Sequence, residues 1–157
     1  PSQRTIARPK PSKTPRHRSE TTMLELSAAA REHFERPRHV GELAAPAPLI
    51  ARSRVGEPAS GDILQLQLRA SAQGIIDTVR FKAYGCGWLI ACGSLLSERL
   101  EGQSLEQARH FRHHHLVETL EIPPAKLHCA VLAETALKTA LQNLSDAGAS
   151  ELKHPLA

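Results

Sequence analysis

The sequence is poor in aromatic residues. Phe34, Phe81, Phe111, Tyr84 and Trp88 are all it has, 3% of 157 residues, so aliphatic side chains must supply most of any core. Long apolar runs are absent too. The longest stretches are broken by Gly, Glu or Lys, and none approaches the roughly 20 residues of a membrane-spanning helix. No secretory hydrophobic region follows the basic start, so the chain is expected to be soluble, cytoplasmic and without a membrane partner. Cysteine is scarce and odd in number. Cys86, Cys92 and Cys129, without a secretory signal, argue against a disulfide framework and for free, ligating or reactive thiols. No repeat at a solenoid period is visible, and the length suits one domain.

A basic body is also missing, although the formal net charge is +4. Residues 1–22 hold six Arg or Lys against Glu20 alone, a charge of +5, which leaves −1 for residues 23–157. The positive charge belongs to the tail, so a nucleic-acid-binding body has little support. Pro1, Pro9, Pro11 and Pro15 disfavour a continuous helix there. Residues 1–22 are read as a disordered basic tail, residues 23–146 as the folded domain, and residues 147–157 as a flexible C-terminal tail.

What is present has a clear order. Residues 22–36 read as a helix, with Thr22 as N-cap and Pro37 as its end. A Pro- and Ala-rich connection follows at 44–48. Leu64, Leu66 and Leu68 alternate with Gln65, Gln67 and Arg69, the period-two pattern of a half-buried strand. After a turn at 71–74, Ile75, Val79 and Phe81 continue as its antiparallel partner, and residues 50–57 add an earlier strand. Beyond Gly85-Cys86-Gly87 the period becomes helical, through Trp88, Leu89, Cys92, Leu95, Leu96 and Leu100, until Gly102. Ser104 and Gln107 fit a capping box, a short helix is expected around 116–120, and a last helix runs from near Cys129 to Gly148. Strands first and helices afterwards predict an α+β fold: a small antiparallel sheet of about three strands with helices packed on one face.

Several residues carry possible chemistry. Cys86 sits between two glycines at a strand-to-helix junction, where unpaired N–H groups favour a thiolate. A buried structural cysteine in a tight turn would have the same sequence. Cys129 follows His128 at the start of the last helix; the pair can bind metal, act as nucleophile and base, or be a core thiol beside a surface histidine. Asp62 follows Ser60-Gly61, which also suits an ordinary turn residue. The spacing decides nothing further: 24 positions separate Asp62 from Cys86 and 43 separate Cys86 from Cys129, with no CxxC cassette. A thiol redox enzyme using Cys86 and Cys92 is disfavoured for that reason.

Three segments together are more specific. Gly56-Glu57-Pro58-Ala59-Ser60-Gly61-Asp62, Phe81-Lys82-Ala83-Tyr84-Gly85-Cys86-Gly87 and Pro123-Pro124-Ala125-Lys126-Leu127-His128-Cys129 resemble, in order, the signature segments of IscU/NifU-type iron–sulfur scaffolds. Residues 23–41, with Glu35-Arg36-Pro37-Arg38-His39-Val40-Gly41 at their end, are similar to that family's opening helix and its exit.

The resemblance implies a non-enzymatic scaffold that assembles a [2Fe–2S] cluster, or carries iron, on cysteines with an aspartate and a histidine nearby. Asp62, Cys86, His128 and Cys129 fall on the matching positions, and Cys129 also matches the cysteine held to receive persulfide sulfur. The implied partners are a cysteine desulfurase, iron–sulfur acceptor proteins and an Hsp70-type chaperone. The last is implied by Ile122-Pro123-Pro124-Ala125-Lys126, which equally makes a rigid entry to the last helix. One departure stands out. Ser60 occupies the place of the family's first cysteine, and a hydroxyl is a poor ligand for cluster iron. The remaining Asp62, Cys86, His128 and Cys129 could instead close a zinc site in a degenerate paralogue that acts as an interaction module.

Cys92 lies six positions after Cys86, about 8–9 Å along a helix axis, and reads as a core thiol unless that helix unwinds. His110, His113 and His114 could share one helix face at i, i+3 and i+4, beside His115. With no thiol or carboxylate expected near them, they read as solvated surface with at most adventitious metal binding.

Overall fold

The computed structural model describes residues 26–43 and 50–153, with side chains through residue 144. The proposed tail at 1–22, the cap at Thr22 and the 44–48 connection lie outside the described residues.

Helix α1 spans Ala28–Glu35, and its N-cap is Ser27, whose hydroxyl accepts from the Ala30 N–H at 3.0 Å. The described helix thus starts later than the pattern of 22–36 predicts, because a serine serves as a cap as well as a threonine does. Past Pro37 the chain runs along the sheet: the Phe81 N–H donates to the His39 carbonyl at 3.0 Å, and the Gly41 N–H to the Phe81 carbonyl at 2.9 Å. Ser94 ties this exit down, accepting from the Arg38 N–H at 2.9 Å and bonding His33 Nδ1 at 2.7 Å.

The strands β1 (Ile50–Glu57), β2 (Asp62–Ala70) and β3 (Ile76–Tyr84) form one antiparallel sheet in the order β1-β2-β3. The expected alternation is present, with Leu64, Leu66 and Leu68 fully buried and Gln65 and Gln67 only partly so. Helix α2 (Gly87–Leu100) and helix α5 (Leu127–Lys153) cover the apolar side. Between them lie α3 (Leu105–Arg109), α4 (His114–Leu120) and a 3-10 turn, Pro124–Lys126.

Two contacts set the spacing of these layers. A Cβ on Gly93 would sit 2.5 Å from the Phe81 ring, so only glycine lets α2 settle this closely on β3. Ser53 Oγ donates to the Ala136 carbonyl at 2.7 Å, fixing β1 to α5. Ser104 and Gln107 make the expected capping box at 3.0 and 2.9 Å. The α+β class with its three-stranded antiparallel sheet is the one predicted.

Helix α5 departs from expectation at its C-terminal end. It begins at Leu127 and continues through Gly148 to Lys153. A lone glycine costs a helix only about 0.5–1 kcal/mol relative to alanine, which slows the helix without ending it. Among the described residues no helix is long and apolar enough to cross a membrane.

Candidate metal centre

Three distant segments meet at one end of the sheet. Asp62 is the first residue of β2 and shares the inward phase of Leu64, Leu66 and Leu68, so the period that buries the leucines also buries its carboxylate, to 6% exposure. Cys86 is the N-cap of α2, immediately after β3. His128 and Cys129 lie in the first turn of α5, which the Pro124–Lys126 turn aims at the sheet.

The four side chains touch. Cys86 Sγ and Cys129 Sγ are 3.6 Å apart, and Cys129 Sγ is 3.6 Å from His128 Nε2 and 3.9 Å from Asp62 Oδ2. His128 Nε2 bonds Asp62 Oδ2 at 3.1 Å. The donor atoms of Asp62, His128 and Cys129 all lie within 4.8 Å of one another, the one such group of three among the described residues. A tetrahedral ion with bonds of 2.0–2.3 Å needs donors roughly 3.3–3.8 Å apart. Asp62, His128 and Cys129 bring an oxygen, a nitrogen and a sulfur close enough to share one ion and of a type that suits zinc or iron, and Cys86 Sγ adjoins Cys129 as a second sulfur.

Gly85 is what permits the carboxylate to be there. Its φ lies outside the left-handed region, yet a Cβ at that position would fall onto the Asp62 carboxylate and 3.0 Å from Leu89 Cδ2. Close approach, rather than unusual backbone, demands glycine.

The two thiols are electrostatically unequal. The Cys86 thiol is brought down to about 6, first by the hydrogen bond it receives from Cys129, then by the N–H groups of Leu89 and Trp88 and the charge of Lys126, against the opposing effect of burial. Cys129 is pushed strongly upward, because its proton is held by Cys86 and because it is buried near that thiolate and Asp62. The pair thus shares one proton between two sulfurs. Cys92 is fully buried and its thiol is pushed well up by desolvation, as befits a core residue rather than a ligand.

Ser60 is exposed in the β1–β2 turn, where its hydroxyl accepts from the Asp62 N–H at 3.2 Å. Of the segment 122–126, Ile122 is buried and anchors the turn, while Pro124 and Ala125 are exposed. Lys126 has a part in the site that its place in that segment does not announce, through its effect on Cys86. An apolar trough of about 470 Å³, bounded by Val55, Leu127, Val131 and Leu132, opens beside His128. Leu127 and Val131, each 41% exposed, are the only hint of it in a sequence reading, as apolar residues off the buried helix face.

His110, His114 and His115 are exposed, as a solvated cluster should be, but the histidines do not share a single helix face. His110 caps the C-terminus of α3 and His113 the N-terminus of α4, so a break separates them. Carboxylates do accompany them: Glu134 Oε1 bonds His113 Nδ1 at 2.8 Å, and Glu106 Oε2 bonds His110 Nε2 at 3.3 Å. Glu134 comes from α5, 21 residues away, which local spacing does not reveal.

Asp62, Cys86, His128 and Cys129, gathered at one end of the three-stranded sheet of an α+β domain, form a candidate metal centre. Comparison with known proteins narrows it: residues 26–149 match the NifU-like N-terminal domain. The chain is 45% identical over 112 residues to the iron-sulfur cluster assembly scaffold protein IscU of Azotobacter vinelandii, covering 71% of this chain and 88% of that protein. It is 43% identical over 110 residues to IscU of Escherichia coli K12, covering 70% and 86%. The crystal structure of a NifU-like N-terminal protein from Brucella abortus superposes with a TM-score of 0.61 at 15% identity, covering 76% of this chain and 94% of that one, a likeness of fold. The chain belongs to the IscU/NifU family of iron–sulfur cluster assembly scaffolds.

Proposed function

We propose that this chain is a cytoplasmic, non-enzymatic scaffold or carrier that binds iron or a [2Fe–2S] cluster as cargo and accepts sulfur from a cysteine desulfurase. Asp62, Cys86, His128 and Cys129 are its ligands. The observation that carries this reading is their convergence from three segments, with the two sulfurs 3.6 Å apart and His128 bonded to Asp62 at 3.1 Å.

The chemistry follows from the donors. Soft thiolates of Cys86 and Cys129 hold iron, and imidazole and carboxylate complete its coordination. Nitrogen and oxygen grip cluster iron less firmly than a full set of cysteines, so the cargo is labile and ready to leave for an acceptor protein. Release is coupled to the segment Ile122–Lys126. Its exposed Pro124 and Ala125 offer an Hsp70-type chaperone a handle on the turn that positions His128 and Cys129.

Ser60 favours a second reading. With its hydroxyl turned to its own backbone, two thiols remain, and S2NO is a complete donor set for tetrahedral zinc. In that case the protein is a zinc-holding interaction module of the assembly machinery. Anaerobic reconstitution with iron and sulfide, followed by absorption spectroscopy and metal analysis, separates the two. A thiolate-to-iron charge-transfer band that disappears in Cys86→Ala supports the scaffold; one tightly held zinc and no band overturns it.

A further inference from the structure

A second recess lies far from the metal centre. Cys86 caps the start of α2 and Arg99 lies in its last turn, about 20 Å away along the helix axis. There six side chains from α2, α3, α4 and the turns between them line a cleft of about 180 Å³: Arg99, Gln103, Gln107, His110, Phe111 and His115. No carboxylate is among them. Phe111 is buried and supplies an apolar wall, its ring centroid 5.6 Å from that of His115. The other five side chains all carry N–H donors. Their neighbours hold them in place while leaving donors over. Arg99 Nη2 donates to Thr119 Oγ1 at 3.0 Å, which steadies the guanidinium and commits only one of its nitrogens. Gln107 Oε1 accepts from the Ser104 N–H at 2.9 Å, so the amide nitrogen is the end left for a ligand. Gln103 is fixed through its backbone, its N–H donating to the Leu100 carbonyl at 3.0 Å and its carbonyl accepting from the Ile76 N–H at 2.8 Å. Glu106 bonds His110 Nε2 at 3.3 Å and Arg109 Nη1 at 3.2 Å.

We infer that this cleft is an anion site for a phosphate or pyrophosphate group, free or at the end of a larger molecule, held by Arg99, Gln103, Gln107 and His115. A guanidinium matches two phosphate oxygens at once, and amide and imidazole N–H groups serve the others. Glu106 sits on the His110 side and is already bonded to two basic side chains, so Arg99 and His115 face the ligand without a carboxylate partner among the described residues. Size agrees with the chemistry. A volume of 180 Å³ is roughly the share of six liquid waters, room for one phosphate group or two, and lies below the roughly 300 Å³ at which pockets enclose a drug-sized molecule. Any larger part of the ligand therefore lies outside, over the exposed His110 and His114. A metal ion, which the two imidazoles alone would suit, is disfavoured by the fixed positive charge of Arg99 in the lining. The site owes nothing to the thiols, so it stands or falls apart from the scaffold reading.

The test titrates sodium pyrophosphate into the reduced, metal-free full chain, up to about 10 mM, against sodium chloride at equal ionic strength. The readouts are phosphorus NMR line broadening and the proton–nitrogen signals of the Gln103 and Gln107 side-chain amides. Pyrophosphate is expected to move both amides saturably, and chloride neither. Arg99→Gln should weaken binding at least about tenfold, and Gln103→Glu, which puts a carboxylate into the cleft, should abolish it. Arg112→Gln removes the same charge from a side chain that lies 3.8 Å from Glu134 and outside the cleft, and should leave affinity within about twofold. ATP that competes for the same two amide signals assigns the site to the phosphate end of a larger molecule; ATP that leaves them unmoved assigns it to the free anion. Absence of saturable shifts, an equal loss in Arg112→Gln, or binding that both cleft variants leave intact, as capture by the basic residues 1–22 would give, would each overturn the inference.

Discussion

Replacing Gly85 by alanine adds one methyl group at the point where β3 turns into α2. The backbone accepts the change, since φ at Gly85 lies outside the left-handed region, and on entropy alone Gly→Ala stabilises by about 0.4–1 kcal/mol. The new Cβ, however, would stand 2.8 Å from Asp62 Cγ, closer than packed atoms allow. The Leu89 methyl at 3.0 Å is the end of a flexible side chain and can yield, so the carboxylate bears the strain. Asp62 must rotate away from His128, losing a bond to a charged acceptor worth about 1.5–3 kcal/mol, at the lower end here because a third of the His128 side chain is exposed. The two effects leave a net destabilisation of about 1 kcal/mol, a fall in Tm of roughly 3–6 °C for a domain of this size. The assay is urea unfolding of the metal-free protein in a double-mutant cycle with Asp62→Ala. In the Asp62→Ala background, Gly85→Ala should be neutral or stabilising, because nothing is left to displace. Equal destabilisation in both backgrounds would refute the close-approach argument.

Four further outcomes are expected. Alkylation of Cys86 in the metal-free protein should follow a thiolate titrating near 6, and Cys129→Ala should move it back toward the ordinary thiol value of 9.0; a profile unchanged by that substitution would mean the Cys129 hydrogen bond is not the cause. Because folding depresses the Cys86 thiol, its stabilising contribution is complete above pH 9 and is lost as pH falls toward 6, whereas the raised Cys129 thiol disfavours folding above pH 9. Stability attributable to the pair should therefore peak near that pH in equilibrium unfolding. Cys92→Ala should lower stability by about 1–2 kcal/mol through a small cavity while leaving metal stoichiometry intact; loss of bound metal would make it a ligand. Ser60→Cys should lengthen the lifetime of a reconstituted cluster if the turn swings its side chain inward, and an unchanged decay of the absorption band would show that it does not.

Much of the architecture is local and was legible for that reason. The period-two leucines 64, 66 and 68, the helical period after Gly87 and the Ser104–Gln107 box each express a preference confined to a few neighbouring residues, and each element lies where its pattern puts it. Helix ends were less legible. Ser27 caps the described part of the first helix, and Gly148 opposes α5 too weakly to end it, so the glycine was a poorer stop signal than its type suggests. The histidines are largely solvated as expected, but their spacing fits one helix, while the chain breaks between His110 and His113 and Glu134 reaches His113 from α5.

What the sequence by itself determined was the fold class, the candidate ligands Asp62, Cys86, His128 and Cys129, and the family they resemble. The residues carry those in their order and chemistry. Only the tertiary structure decided that these four meet, that Gly85 clears the space for Asp62, and that Lys126 acts on Cys86. It also divided the two thiols into an accessible thiolate and a buried proton holder. Each is a property of separation, burial or shared protons between segments tens of residues apart. Interactions of that kind fall off over a few ångströms of space, and position along the chain does not measure that distance.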